Sequence, residues 1–291
     1  MGAPVTLITG CSTGIGYLTA LEMARRGYTV HATMRSPDRD GTPLRDAAAR
    51  EGLDLRVAAL DVTDRGSRAE AVAEVIAVSG RIDVLVNNAG LGDLGAIELQ
   101  SDETVHRMFE TNVFGPLALM RAVLPGMRER RSGTIVNVSS VAGRIVGGVN
   151  GIYSATKHAL EAISEALALE VRALGVRVIV IEPGFFQTPI LQKATGAIAE
   201  ADGPYADIQR RMATLYTVAT AQGGDPAEVA KVISDAVSTD APRFRYAIGA
   251  DAPVFLEGRA KMTDEEYIDA FGREQTDEAW FAEFARRFPL G

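Results

Sequence analysis

The stretch VTLITGCSTGIG, residues 5–16, decides the fold of this chain of 291 residues. Its first five residues are apolar or β-branched, which predicts a short buried strand. The glycines that follow allow a sharp turn and a close approach of the backbone to a bound group, and the run to Arg26 predicts a helix. Because free N–H groups at a helix start attract a pyrophosphate, the stretch favours a dinucleotide site over a turn without a ligand.

Short apolar runs alternate with segments of helical period along the rest of the chain, which is typical of βαβ units. They predict strands at residues 5–9, 29–33, 55–60, 84–87, 134–138, 177–182 and 245–247. Crossovers between parallel strands are right-handed and long enough to carry helices. We therefore predict an α/β, doubly wound, seven-stranded parallel sheet with helices on both faces, in which chemistry collects at the carboxyl ends of the strands.

Residues 1–250 are predicted to form this single domain, and residues 251–291 a C-terminal helical extension packed on it. The glycine-interrupted region 189–224, with a helix predicted at 205–221, could serve as a cover over the substrate. In the extension, Phe281, Phe284 and Phe288 stand at i, i+3 and i+7. This spacing favours an amphipathic helix docked on the domain over a helix for a partner or a membrane.

Composition excludes several classes of function. With 38 acidic and 30 basic side chains the net charge is −8, which argues against a nucleic-acid partner. No apolar stretch approaches the roughly 20 residues that span a bilayer, and the N-terminus lacks the pattern of a secretory signal. The single cysteine, Cys11, allows no internal disulfide, and neither it nor the three histidines have metal-ligand spacing. We expect a cytoplasmic protein without a metal site.

Two residues four apart, Tyr153 and Lys157, share one face of a helix predicted at 151–174. At about 4 Å and an effective dielectric of ~20, an ammonium contributes roughly 4 kcal/mol toward a phenolate, equivalent to about three pKa units before desolvation opposes it. We therefore expect a Tyr153 pKa near neutrality, where acid–base catalysis is efficient. Ser140 ends the fifth predicted strand and could hydrogen-bond a substrate oxygen, with Ser139 as an adjacent alternative.

Preference between dinucleotides is decided at the end of the second predicted strand, where an acid holds the ribose 2′-hydroxyl and an arginine accommodates a 2′-phosphate. The sequence there reads Ala32-Thr33-Met34-Arg35, with no acid before Asp38. Arg35 therefore favours NADP(H) over NAD(H), although a solvated surface arginine is the alternative in this arginine-rich chain.

Over about residues 4–250 the sequence resembles the short-chain dehydrogenase/reductase family, single-domain type, which has a Rossmann-like fold. The glycine loop is similar to the cofactor loop of that family, Asn87-Asn88-Ala89-Gly90 to its mid-sheet motif, and Tyr153-Ser154-Ala155-Thr156-Lys157 to its catalytic signature. The stretches at 32–35 and 139–143 resemble the steroid and retinol dehydrogenase-like branch.

The resemblance implies a catalytic set of Asn112, Ser140, Tyr153 and Lys157. In it, Lys157 also binds the nicotinamide ribose, and Asn112 helps to hold a water for a proton relay. The predicted cofactor-binding residues are Gly10, Ser12, Thr13, Gly14, Ile15, Gly16, Arg35, Asp61, Val62, Asn88, Ala89, Gly90, Tyr153, Lys157, Pro183, Gly184, Phe186 and Thr188. The resemblance also implies a homodimer or homotetramer assembled through the helices at 101–130 and 151–174.

These observations predict an NADP(H)-dependent oxidoreductase that interconverts a secondary alcohol and a ketone. Apolar and aromatic residues should line its pocket and favour a bulky hydrophobic or polycyclic substrate: Phe185, Phe186, Ile190, Leu191, Met212, Leu215 and Tyr216. One alternative is a nucleotide-binding sensor that has lost catalysis. Another is a sugar-nucleotide epimerase or dehydratase, which also uses Tyr and Lys four apart but has a different glycine spacing.

Overall fold

Seven parallel strands form one sheet in the computed structural model of the chain, which describes residues 2–190, 198 and 202–289. The strands are β1 (Val5–Ile8), β2 (Thr29–Met34), β3 (Leu55–Ala59), β4 (Val84–Asn87), β5 (Gly133–Val138), β6 (Val176–Pro183) and β7 (Arg245–Ile248). Their order in the sheet is β3-β2-β1-β4-β5-β6-β7. All seven predicted strands are present, and their ends differ from the prediction by at most one residue. The predicted α/β doubly wound fold is confirmed.

Twelve helices of the described residues accompany the sheet. They are α1 (Gly14–Arg25), α2 (Pro37–Asp40), α3 (Thr42–Glu51), α4 (Arg65–Ser79), α5 (Asp102–Phe109), α6 (Gly115–Glu129), α7 (Gly151–Val171), α8 (Ala206–Ala221), α9 (Pro226–Ser238), α10 (Asp251–Ala260), α11 (Asp264–Gly272) and α12 (Asp277–Arg287). Leu7 and Ile8 of β1 are both fully buried but belong to two different core clusters. Because neighbouring strand residues point to opposite faces, helices must cover both sides of the sheet.

The predicted helix at 101–130 is interrupted by a π turn, Glu110–Phe114, between α5 and α6. Pro116 has no N–H and so removes the donor that would normally bond the carbonyl of Asn112, four residues earlier. A Cβ at Gly115 would lie 2.7 Å from the carbonyl oxygen of Val62, so glycine permits this close approach. Turns of this kind inside helices are frequent at functional sites, and this one carries Asn112.

The C-terminal extension folds as three helices, α10 to α12, where the sequence pattern indicated one. Thr263 and Thr276 cap the second and third of them and so divide the segment. Trp280 is 2% exposed and packs on Phe271, with ring centroids 5.6 Å apart. Arg211 of α8 donates to Asp277 at 2.8 Å, so the extension is tied to the helix of the predicted cover.

Part of that predicted cover, residues 191–197 and 199–201 with Leu191, lies outside the described residues, as do residues 1, 290 and 291. Within the described ranges, no helix combines the length and the apolar character that crossing a membrane requires.

Candidate active site

The loop between β1 and α1 continues into the first turn of α1 and forms a concave cradle, residues 10–16, whose backbone requires glycine at three positions. Gly10 and Gly14 have φ angles of +73° and +60°, in the left-handed region that favours glycine. A Cβ at Gly16 would lie 2.3 Å from Asn88 Nδ2 and 2.4 Å from the carbonyl oxygen of Gly10. Thr13 precedes α1 without capping it, and the first turn holds no acidic residue. The helix N–H groups can therefore receive a pyrophosphate, and the cradle fits a dinucleotide.

Asn88 ties this cradle to the end of β4. Its Nδ2 donates to the carbonyl oxygens of Thr9 and Gly10 at 2.9 and 3.1 Å. The Thr9 hydroxyl in turn accepts from the backbone N–H groups of Asn88 and Ala89 at 3.0 and 2.9 Å. Asn88 thus shapes the cofactor loop, in addition to lining the cavity beside it.

Cys11 lies inside the cradle but has no reactive character. Its thiol is fully buried and donates to the carbonyl of Ile8 at 3.3 Å. Burial raises the pKa of Cys11 to about 12, so the thiolate does not form near neutral pH.

The structure brings the predicted site residues, except Gly16 and Asn112, to the wall of one continuous cavity of about 910 Å³. Arg35 is exposed at the end of β2 and forms no ion pair with the described residues. Asp61 and Val62 follow β3, where the Asp61 carboxylate accepts from the N–H and the hydroxyl of Thr63 at 2.9 and 2.8 Å. The free guanidinium is the cationic group that a 2′-phosphate at this edge would meet.

The segment after β6 closes over the cradle from the other side. The methyl group of Thr188 lies 3.7 Å from the position of a Cβ at Gly14. Asp251, the first residue of α10, accepts from the backbone N–H of Phe185 at 2.7 Å, and a Cβ at Gly184 would clash with its carboxylate. Burial raises the pKa of Asp251. This residue positions the segment, and sequence reasoning missed it because no local motif marks a contact across 66 residues.

Ser140, Tyr153 and Lys157 meet at the carboxyl end of β5. Tyr153 and Lys157 are 8% and 4% exposed, and Lys157 Nζ lies 5.6 Å from the centre of the tyrosine ring. The Ser140 hydroxyl accepts from the backbone N–H of Ala142 at 3.1 Å and donates to the carbonyl of Pro183 at 3.4 Å. Ser139, the alternative, also lines the cavity, and its Oγ is buried, has no partner among the described residues and abuts Gly143.

The ionisation of the pair differs from the sequence-based expectation. Burial raises the pKa of Tyr153 to about 12, against a lowering by the nearby side chain of Ser140. Burial also lowers the pKa of Lys157 to about 8. The expectation of a near-neutral pKa for Tyr153 is therefore wrong when only the protein's own groups act on the tyrosine. Desolvation outweighs the attraction, since the ammonium is directed to the carbonyl of Val138 at 2.9 Å.

Asn112 stands behind the lysine. Its Oδ1 accepts from the N–H of Leu91 at 2.8 Å, and its Nδ2 donates to the carbonyl of Leu91 at 2.8 Å and to the Thr156 hydroxyl at 3.0 Å. Both polar atoms of the side chain are engaged, so any part that Asn112 takes in a proton relay falls to its backbone carbonyl. That role stays a prediction.

A second polar layer lies behind Lys157 and was not predicted. Glu161, one helical turn further along α7, is 4% exposed and accepts from Arg245 of β7 at 2.9 Å. Its charge acts to raise the pKa of Lys157, against the larger effect of burial. Glu182 is also buried and pairs with Arg144 at 3.1 Å. Glu182 is thus engaged in the ion-pair layer at the end of β6.

The substrate half of the cavity is largely apolar and aromatic. Helix α8, the segment after β6 and the C-terminal extension supply its wall, including Phe185, Met212, Tyr216, Phe255, Phe271 and Phe284. The extension therefore contributes to the pocket as well as packing on the domain. In the part of the chain that the structure describes, no three side chains of the metal-ligating types lie together as a metal site.

Comparison with known proteins gives consistent relatives. A family model described as short chain dehydrogenase matches residues 4–198. A 3-ketodihydrosphingosine reductase from Bacteroides thetaiotaomicron is 36% identical over 268 residues, covering 91% of this chain and 95% of that protein. Retinol dehydrogenase 8 from Homo sapiens is 36% identical over 254 residues, covering 84% and 81%. A crystal structure of a short-chain dehydrogenase from Streptomyces avermitilis matches with a TM-score of 0.80 at 38% identity, covering 93% and 98%.

Proposed function

The chain belongs to the short-chain dehydrogenase family, and from this premise we propose that it is an NADP(H)-dependent oxidoreductase interconverting a secondary alcohol and a ketone on a hydrophobic substrate. Members of the family are NAD(P)-dependent and act on small-molecule alcohols or ketones. One observation carries the proposal: Ser140, Tyr153 and Lys157 line the same cavity as the glycine cradle. Hydride chemistry needs such a proton-transferring group beside a bound dinucleotide.

Each residue of the set has a distinct task in this proposal. When bound, the nicotinamide supplies or accepts the hydride at the substrate carbon. The Ser140 hydroxyl donates a hydrogen bond to the substrate oxygen, where negative charge develops during ketone reduction. Tyr153, which burial keeps protonated at neutral pH, donates its proton to that oxygen. Lys157 holds the nicotinamide ribose, and its ammonium stabilises the phenolate that proton donation leaves behind.

The preference for NADP(H) rests on Arg35. Its exposed guanidinium lines the cavity at the end of β2, and no carboxylate stands in its place to hold a 2′-hydroxyl. We expect Arg35→Asp to lower kcat/KM with NADPH at least tenfold and to raise it with NADH. Arg39→Asp, on an exposed residue four positions further along the chain, is the matched control. Equal use of both cofactors by wild type and by Arg35→Asp would refute the assignment.

The hydrophobic substrate is supported by the apolar wall and by relatives that are a 3-ketodihydrosphingosine reductase and a retinol dehydrogenase. The apolar side chains that line the pocket exclude water from the reacting carbonyl. They also supply most of the binding free energy, at about 25 cal/mol per Å² buried. Preferential turnover of small polar ketones over hydrophobic ones would contradict this part of the proposal.

The decisive experiment substitutes the proton donor. Tyr153→Phe should bind NADPH as wild type does, because the ring is retained, and should lose at least a thousandfold in ketone-dependent NADPH oxidation. Among the described residues, the Tyr17 hydroxyl bonds the Pro43 carbonyl alone, at 3.4 Å, so Tyr17→Phe should retain activity. Full activity in Tyr153→Phe would refute the mechanism. Absence of net NADPH oxidation by wild type across a ketone panel would instead favour a sensor or an epimerase.

We also propose an oligomeric state and a cellular location for the protein. We propose a homodimer or homotetramer formed through α5, α6, the π turn between them and α7. Phe114 of the π turn and Leu169 of α7 are 49% and 80% exposed. A monomer mass by light scattering would refute it. The single buried cysteine is compatible with the cytoplasm, which we propose as the location. Residues 251–291 are proposed to act as an extension of the catalytic domain.

A further inference from the structure

A buried polar pair in the substrate half of the cavity has no task in the chemistry described above. Asn150 and Tyr216 both line the cavity, and each is 6% exposed. Their neighbours in the wall, Phe185 and Met212 among them, are apolar. Burial of polar groups in such surroundings is unfavourable unless they are hydrogen-bonded. The pair therefore requires an explanation of its own.

The Asn150 side chain does not serve the helix that it precedes. Asn150 is the N-cap residue of α7, a position where an asparagine side chain normally accepts from the first turn. Here the side chain makes no capping bond. Its Oδ1 is buried and has no hydrogen-bond partner among the described residues. This oxygen can accept one hydrogen bond from a ligand in the cavity.

The backbone that places Asn150 is strained. Val149 has a φ of +54°, in the left-handed region that a β-branched residue rarely adopts. Its carbonyl accepts from the N–H of Gly95 at 2.7 Å, which fixes the conformation. Strain of this kind clusters at ligand sites, where the surrounding structure maintains it. The strained residue directs the chain into α7 with the Asn150 carboxamide at the cavity wall.

Tyr216 comes to the same point from α8. Its ring packs on Phe185, with centroids 5.5 Å apart, and a Cβ at Gly147 would lie 3.2 Å from its hydroxyl oxygen. Burial raises the pKa of Tyr216, and the nearby side chain of Asn150 acts in the opposite direction. The hydroxyl is therefore neutral at physiological pH. Tyr153 lines the same cavity as this pair.

We infer that Asn150 and Tyr216 recognise a hydroxyl group on the substrate, carried one or two carbons from the carbonyl carbon. This inference rests on the proposed ketone–alcohol chemistry. Asn150 precedes Tyr153 by three residues, a helical spacing that puts two side chains about 5–6 Å apart. A substrate oxygen bonded to Tyr153 and a hydroxyl bonded to Asn150 would then belong to carbons that are adjacent or separated by one further carbon. The substrate class is a hydroxyketone at the end of an apolar body.

A neutral hydroxyl fits the pair better than an ammonium group does. Among the described residues of the cavity wall, the only carboxylate is Asp61, which follows β3. That strand lies four positions from β5 in the sheet, or about 19 Å at ~4.8 Å per strand. Lys157 and Arg107 also line the wall and add positive charge. A substrate ammonium beside Asn150 would therefore lack a counter-ion and face repulsion.

The test compares two ketones that differ by one hydroxyl, 2-hydroxyethyl undecyl ketone and ethyl undecyl ketone. The rate measured is NADPH oxidation by the full chain. Wild type should have a kcat/KM about tenfold higher for the hydroxyketone, because one net hydrogen bond contributes a free energy equivalent to about that ratio. Asn150→Leu keeps the volume and removes the acceptor, so this preference should fall to about one. Tyr216→Phe should reduce it about threefold. Thr214→Val removes an exposed hydroxyl from the same helix and should leave the preference unchanged.

The outcomes separate this inference from the proposed function. Oxidation of NADPH with neither ketone overturns the proposed function and the inference together. Equal kcat/KM for both ketones in wild type overturns the inference and leaves the proposed function standing. If both variants still prefer the hydroxyketone as wild type does, other residues recognise the hydroxyl and the inference is overturned. Binding of NADPH to each variant reports that it has folded, and Tyr216→Phe alone decides if Asn150→Leu does not fold.

Discussion

Replacement of Lys157 by methionine should change how the stability of the protein depends on pH. The lysine is 4% exposed, and burial lowers its pKa from the ordinary 10.5 to about 8. The unfolded chain therefore binds a proton that the folded chain lacks between about pH 8 and pH 10.5. The contribution of Lys157 to the stability of the wild type must rise with pH in that window, because the free energy of unfolding increases wherever the unfolded state binds more protons.

The size of the effect follows from the same pKa values. The full difference corresponds to roughly 3 kcal/mol at about 1.36 kcal/mol per pKa unit. Between pH 7 and pH 9.5, linkage gives the wild type a gain of about 2 kcal/mol from this group. Lys157→Met keeps the length of the side chain and removes the titrating amine, so its curve should lack this gain. Ionisation of Cys11 in the unfolded chain affects both proteins equally and cancels in the difference.

The assay is urea unfolding at several pH values, followed by extrapolation of the free energy of unfolding to water. Lys261→Met is the matched control, because that lysine is exposed, and its curve should run parallel to the wild type. The loss of the hydrogen bond to Val138 lowers the stability of Lys157→Met by a similar amount at every pH and does not change the slope. Parallel curves for wild type and Lys157→Met from pH 7 to pH 9.5 would refute a buried, desolvated lysine.

Three further substitutions test the site. Gly16→Ala forces a Cβ into the cradle and should weaken NADPH binding at least tenfold, measured by calorimetry; unchanged affinity would contradict the cradle. Ser140→Ala should lower kcat for ketone reduction about a hundredfold, since it removes a donor to the developing charge, whereas Ser139→Ala should stay within about twofold. Arg211→Met breaks the tie between α8 and the extension and should destabilise the protein by roughly 1–3 kcal/mol, measured by the midpoint of urea unfolding.

The fold was predictable because its decisive signals are local. Each strand is a short apolar run, and parallel strands bring the segments that follow them to one edge of the sheet. The glycine loop after β1, Ser140 after β5 and Thr188 after β6 therefore converge without any knowledge of distant contacts. The same reasoning placed Tyr153 and Lys157 on one face of a helix, which requires only their spacing.

Predictions that depended on burial or on distant contacts failed or were not made. The expected pKa of Tyr153 assumed that the ammonium outweighs desolvation, yet both side chains are almost fully buried. Asp251 contacts Phe185 across 66 residues, and no spacing rule in the sequence indicates such a pair. The sequence indicates an ordinary N-cap residue at Asn150, and only the structure shows that its side chain makes no capping hydrogen bond.

The layer behind Lys157 shows why the catalytic signature alone does not set the working pH. Burial lowers the pKa of the lysine, and Glu161 acts in the opposite direction. Glu161 is itself held by Arg245, which also lies 3.4 Å from the buried Glu182. The charge of the lysine thus depends on groups from α7, β6 and β7, which are far apart in the chain. Two enzymes that share the Tyr-x-x-x-Lys spacing but differ in these acids should therefore ionise their lysines at different pH values, and so reduce ketones over different pH ranges.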